Sequence, residues 1–239
     1  MNINSLFHES KKRSFTTNLI LCICAFLGIL LVPNIVGLLL LKVIKNEMVC
    51  SIIGTIVFMI LLVLMYYKDL IKEFKIYKSN FKDNFRIAFK YYILGFMGMV
   101  FFNIIIAFFL KNISSNETQV REMLYSNVVL SLINISILAP ICEEIVFRKS
   151  LEPVIKNKWI YVIVCGLLFG GAHILTNIIN DSFVLTDLFY ILPYGSLGFA
   201  FALMDKDTNT TFTSIVMHAF HNSMTGILLL ITYLGGFIK

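Results

Sequence analysis

Three short segments of this 239-residue chain carry ionisable side chains in otherwise apolar surroundings. Glu143 and Glu144 stand in Leu138-Ala-Pro-Ile-Cys-Glu-Glu-Ile-Val-Phe-Arg148, His173 in Phe169-Gly-Gly-Ala-His173, and His218, His221 and Asn222 in His218-Ala-Phe-His-Asn222. Such groups are costly within apolar helices and mark a functional site by default. A carboxylate, two imidazoles and an amide in a low-dielectric cavity that admits water suit hydrolysis. Glu143 with His173 could take a proton from water, while His218 with Asn222 could hydrogen-bond the oxyanion of a tetrahedral intermediate. The same residues could instead surround a zinc ion, with Glu143, His173 and His218 as ligands and an open position for activated water. Both chemistries stay open, so the expected cofactor is one divalent metal such as zinc, or none. His-Glu-x-x-His does not occur, which excludes a thermolysin-like zinc helix.

Spacing sharpens these assignments. Glu144 and Arg148 are four residues apart and share a helix face, whereas Glu143 points roughly 100° away from Glu144. Glu144 is therefore expected to pair with Arg148 and to lower the cost of burying both, leaving Glu143 to face a cavity. His218 and Asn222 are likewise one turn apart. Asn157 and Lys158 form the polar break between two apolar stretches, and a helix hairpin hinged there sets Glu143 and His173 at nearly equal depth, about 22 Å from the turn. His221 is expected to pack beside His218 without a direct role. Cys142 has no neighbouring group that would make it a thiolate.

The elements that must position these groups follow from composition. The chain is 58% hydrophobic and 14% charged, with a mean hydropathy of +0.85. Soluble domains are nearer a quarter charged, so a soluble globular domain and a disordered chain are both excluded. The net charge of +6 resides in short clusters between apolar stretches, which reads as a topology signal and not as a nucleic-acid surface. The five cysteines are odd in number and lie in or beside apolar runs, so no disulfide is expected.

Runs of membrane-spanning length occur at Leu19–Leu41, Val49–Tyr67, Phe89–Leu110, Val128 to about Ile155, Trp159–Leu175, Phe183–Met204 and Thr211–Ile238, the last being either one span or two short helices. The expected fold is all-α, a single membrane domain forming a polytopic transmembrane bundle of seven or eight helices. Between the second and third runs, Lys68, Lys72, Lys75, Lys78, Lys82, Arg86 and Lys90 outnumber Asp69, Glu73 and Asp83, which places this connector and the N-terminus in the cytoplasm of a multi-pass cell-membrane protein. Leu70, Phe74, Tyr77, Phe81 and Phe85 recur within it at spacings of three and four, suiting a cytoplasmic interfacial helix. Lys111 to Asn127 is expected as a loop on the outer side, and its Asn112-Ile-Ser114 and Asn116-Glu-Thr118 triplets match the glycosylation pattern.

Glu143-Glu144-x-x-x-Arg148, Phe169-x-x-x-His173 and His218-x-x-x-Asn222, in that order on separate apolar helices, resemble the three motifs of the CPBP intramembrane proteases. This family includes the type II CAAX prenyl endopeptidases and the bacteriocin-processing and immunity proteins often labelled Abi. The resemblance includes Ala139-Pro140 before the glutamates and covers roughly residues 128–223, the catalytic core. It implies a glutamate-dependent or metal-dependent endopeptidase whose site is sunk in the membrane and open to the cytoplasmic side and to lipid. Glu143 and His173 would activate the water, His218 and Asn222 would stabilise the oxyanion, and Glu144 and Arg148 would support them. The implied partner is a peptide or protein substrate cut near the bilayer, in peptide maturation or bacteriocin self-immunity. A non-catalytic immunity or scaffold protein keeping the same fold is the alternative.

Overall fold

The computed structural model describes residues 13–110, 114–179 and 183–235. The tail bearing Lys11, Lys12 and His8 lies outside them, as does Asn112 of the first glycosylation triplet. The described residues form a helical bundle without strands, and seven of its helices are long and apolar enough to cross a membrane. We label the elements α1 (Phe15–Leu41), α2 (Glu47–Ser79), α3 (Phe81–Leu110), α4 (Ser115–Ser126), α5 (Val128–Lys149), α6 (Lys158–Ile179), α7 (Leu185–Thr208, opening with a 3₁₀ stretch to Tyr190) and α8 (Thr211–Leu234). Successive spans run antiparallel, so one end of the bundle gathers the α2–α3 junction and the α5–α6 and α7–α8 turns, while α4 lies at the other.

Two expectations change here, and one open alternative is resolved. No separate interfacial helix forms between α2 and α3. Lys68–Ser79 contains neither Gly nor Pro, so α2 runs on for 33 residues to Asn80, and Phe81 opens α3 at once. At 1.5 Å per residue α2 is about 50 Å long and overruns the ~30 Å hydrocarbon layer. The stripe that suggested a membrane surface is partly used inside the protein: Leu70 and Glu73 are buried, and Phe74 meets Phe212 of α8 edge-to-face at 5.3 Å. Second, the segment before Asn127 is not a plain loop. The Ser114 side chain caps α4 by accepting from Glu117 N, and Arg121 pairs with Glu117 one turn apart. Of the two forms left open for the last run, the structure has the single span: α8 continues unbroken through Ser223–Gly226, where the Ser223 hydroxyl donates to the Ala219 carbonyl at 2.7 Å.

Close backbone approach holds the α6–α7 pair. A Cβ on Gly170 would sit 2.5 Å from the Ile191 carbonyl oxygen, and one on Gly198 would sit 3.1 Å from Gly166 Cα. Small residues are the usual means by which membrane helices approach, since lipid supplies no hydrophobic drive between them. This packing fixes the two helices that carry His173 and its neighbour Tyr194. At the turn into α8, Asn209 adopts the left-handed region at φ 53°, the sole non-glycine residue to do so among those described.

Candidate active site

The fifth helix is irregular around its two glutamates. Two wide π-type segments, Asn134–Leu138 and Ile145–Lys149, bracket the short α-helical stretch Ala139–Glu144. Such widenings often occur at functional sites. The first is coupled to Pro140. The Ala139 N–H donates to the Asn134 carbonyl, and Pro140 has no N–H to give, so the ladder leaves the Ile135 carbonyl without a donor. Asn222 of α8 supplies one, its Nδ2 donating to that oxygen at 2.8 Å. One proline thus fixes both a local widening and the seat of Asn222, which lies 87 residues from the Ile135 carbonyl it caps.

The two glutamates diverge as their spacing requires. Glu144 is wholly buried and accepts from Arg148 Nη1 at 2.9 Å. Arg148, also wholly buried, donates a second bond to the Gly198 carbonyl at 3.2 Å, and its guanidinium lies 4.7 Å from the Phe169 ring centre and 5.5 Å from that of Phe201. Aromatic faces offset part of the cost of desolvating a cation. The same Glu144 oxygen accepts from His218 Nδ1 at 2.8 Å. A carboxylate in this pair can only accept, which assigns a proton to Nδ1 and turns Nε2 the other way, to 3.9 Å from Glu143 Oε2. That separation is too long for a hydrogen bond, and Glu143 Oε2 is buried without a hydrogen-bond partner among the described residues.

His173 is held by its own helix and by α7. Its Nδ1 donates to the Phe169 carbonyl at 2.8 Å, which leaves Nε2 with a free lone pair. The ring stacks on Tyr194 with centres 4.2 Å apart and planes 16° from parallel, and Phe169 lies 4.6 Å away. The Tyr194 hydroxyl bonds in turn to Ser114, the cap of α4, at 2.7 Å. His218 stacks on Phe201 at 4.9 Å. His221 bonds to the Tyr92 hydroxyl at 3.2 Å and packs against Phe96.

Glu143, His173, His218 and Asn222, from three different helices, all line one cavity of about 590 Å³. His221 also reaches it, whereas Arg148 and Glu144 lie behind its wall. The cavity extends from these groups towards α4, between Asn103 and Ile106 of α3 and Thr225 and Leu228 of α8. Glu143, His173 and His218 carry donor atoms that zinc accepts. Even so, among the described residues no three His, Cys, Asp or Glu side chains gather closely enough to hold a metal ion, so the three do not fit a metal site as they stand.

Sequence reasoning missed Tyr194, Phe201 and the Gly198 carbonyl, all on α7. A signal was present in Tyr194-Gly-Ser-Leu-Gly198, where glycines three apart flag a face on which backbone and side chains of another helix come close.

These features define a multi-pass helical membrane protein with a polar site recessed in its bundle. Residues 125–224 match the family model described as type II CAAX prenyl endopeptidase Rce1-like. Among curated proteins, the chain is 28% identical over 117 residues to the provisionally named membrane peptidase YdiL of Bacillus subtilis, an alignment covering 48% of this chain and 43% of that one. It is also 28% identical over 169 residues to an uncharacterized protein of Mycoplasma capricolum, covering 65% of this chain and 47% of its relative. The matches span less than half the length of either relative. No solved structure matches significantly. The CPBP resemblance read from the three motifs is thereby borne out, and the family match contains every motif residue.

Proposed function

We propose that this protein is an intramembrane endopeptidase that hydrolyses a peptide bond with water activated by Glu143 and His173. The reading rests on one observation. Four groups of complementary chemistry line a single cavity, each imidazole is anchored through Nδ1, and the Glu143 oxygen nearest His218 has no hydrogen-bond partner. In this scheme Glu143 and the free Nε2 of His173 take a proton from water as its oxygen adds to the scissile carbonyl. As an imidazolium, His218 keeps one N–H on Glu144 and turns the other to the oxyanion. Asn222 spends one N–H on Ile135 and has its second for the same oxyanion. Collapse of the tetrahedral species breaks the C–N bond, and the proton taken from water passes to the leaving amine. Glu144 and Arg148 act as supports by fixing His218. No step is routed through a metal.

The basic connector faces the cytoplasm in this reading and holds the protein against anionic lipid. The substrate is a peptide or protein with a cleavage site near the membrane, and the role is peptide maturation or self-immunity. Mass spectrometry of membrane and secreted peptides from cells carrying wild type, Glu143→Ala or Glu143→Gln tests it. Peptides lost in both variants at equal protein abundance support the reading. Identical peptide sets in all three, with full protection against a toxin retained by Glu143→Gln, would instead mark a non-catalytic immunity protein.

A further inference from the structure

Asn103 is the one polar side chain apart from Tyr91 and Tyr92 in the stretch from Tyr91 to Leu110. It is exposed on a helix whose neighbouring residues Phe101, Ile104 and Ile105 face outward. An amide at such a position costs free energy unless it finds partners. Three other polar side chains of the spans satisfy themselves on their own helix: Asn34 donates to the Leu30 carbonyl at 2.8 Å, Ser196 to Leu192 at 2.8 Å and Thr232 to Leu229 at 2.8 Å. Asn103 makes no such bond among the described residues. It lines the cavity instead.

The surroundings say what it meets there. The aromatic and hydrogen-bonded contacts between α3 and α8 gather at Tyr92 and Phe96 against Phe220 and His221. Further towards α4, Asn103 and Ala107 on α3 and Thr225 and Leu228 on α8 are all both exposed and part of the cavity wall. The cavity is thus open sideways between these two helices, along a wall whose other members are Ala107, Thr225 and Leu228. A group entering there from the bilayer must be apolar overall. If its backbone is to be cut it must be unwound from helix, and then it carries unpaired N–H and C=O groups into hydrocarbon. A carboxamide, with a donor and an acceptor on one planar head, matches a peptide group.

We infer that Asn103 is a substrate-contacting residue that hydrogen-bonds the backbone of an apolar, membrane-inserted peptide segment lying between α3 and α8. This rests on the endopeptidase reading and adds the substrate class and its contact. The test uses the full-length protein in liposomes with a synthetic lysine-flanked Leu/Ala peptide long enough to span the bilayer. A photo-reactive residue replaces Ala107, one turn from Asn103, and as a control Phe108, which points to lipid. Peptide adducts form at position 107 and lipid adducts at 108. Asn103→Leu, which suits a lipid-facing helix and leaves folding intact, lowers the peptide adduct about three- to tenfold, and Asn103→Gln restores part of it. An adduct unchanged by Asn103→Leu, or lipid adducts alone at 107, overturns the inference. Peptide that is captured but never cut by the wild type counts against the protease reading and leaves the contact standing.

Discussion

The bundle contains two polar clusters, and they are built on opposite terms. At the connector end, Glu73 of α2, Lys149 of α5, Tyr161 of α6, Asp205 of α7 and Thr211 of α8 form a closed network. Lys149 pairs with Glu73 and with Glu152, Glu73 accepts the Thr211 N–H at 2.8 Å, and Asp205 accepts from Tyr161 and Thr211, each at 2.7 Å. In the cavity the count does not close, since Glu143 Oε2 is unpartnered and both imidazoles turn Nε2 away from their anchors. A fully satisfied buried network rigidifies, whereas an incompletely satisfied one needs an explanation outside the fold. The first cluster joins five helices, and the second leaves polar atoms open to a cavity.

The largest expected effect tests the open cluster. Glu143→Ala lowers cleavage about 10²- to 10⁴-fold with little change in thermal unfolding in detergent, because no hydrogen bond is lost. If it instead unfolds the protein, the contrast between the clusters fails. The closed cluster behaves in reverse. Lys149→Met leaves Glu73 buried and uncompensated and costs on the order of 3–5 kcal/mol, read as a fall in the unfolding midpoint, while the rate per folded molecule holds. A Glu73→Gln/Lys149→Met double variant recovers part of that loss.

Tyr194 sharpens the comparison within the site. Tyr194→Leu removes the stack on His173 and lowers kcat about three- to tenfold with KM unchanged, whereas Tyr194→Phe keeps the stack and most of the rate. The smallest effect belongs to Glu152, on the rim of the closed cluster. Burial raises its pKa, but Lys149, Lys206 and Lys156 together hold it below the usual carboxylate range. A depressed carboxylate contributes stability above its unfolded pKa, and that stability is lost as pH falls through the folded one. Because Glu152 is 41% exposed and screened by solvent, Glu152→Gln costs under about 1 kcal/mol at neutral pH. Denaturation followed from pH 7 downwards shows the difference from wild type closing in acid.

Much of this arrangement was legible beforehand. The apolar runs located the spans because a bilayer demands unbroken length, and the Glu144–Arg148 pair followed from i,i+4 geometry alone. The interfacial helix was misread because amphipathic spacing is the same whether a face meets headgroups or another helix. Here part of that face meets α8. The loop before Asn127 was misread because its helix depends on the Ser114 cap, a weak signal among polar residues. On α7 the emphasis was missed, since glycine spacing shows close approach without saying which partner arrives.

Local chemistry along the chain was enough to specify a membrane bundle, the order of its helices and which polar side chains line the cavity, because length, hydropathy and helical phase act over a few residues. It was not enough to specify which of those side chains are satisfied. Arg148 finds Gly198 across 50 residues, His218 finds Glu144 across 74, and Asn222 finds Ile135 across 87. Such pairings exist only after the helices pack. The tertiary structure therefore decided that Glu144 also anchors His218 and that Asn222 is seated on the Ile135 carbonyl, since these partners come from helices distant in the sequence.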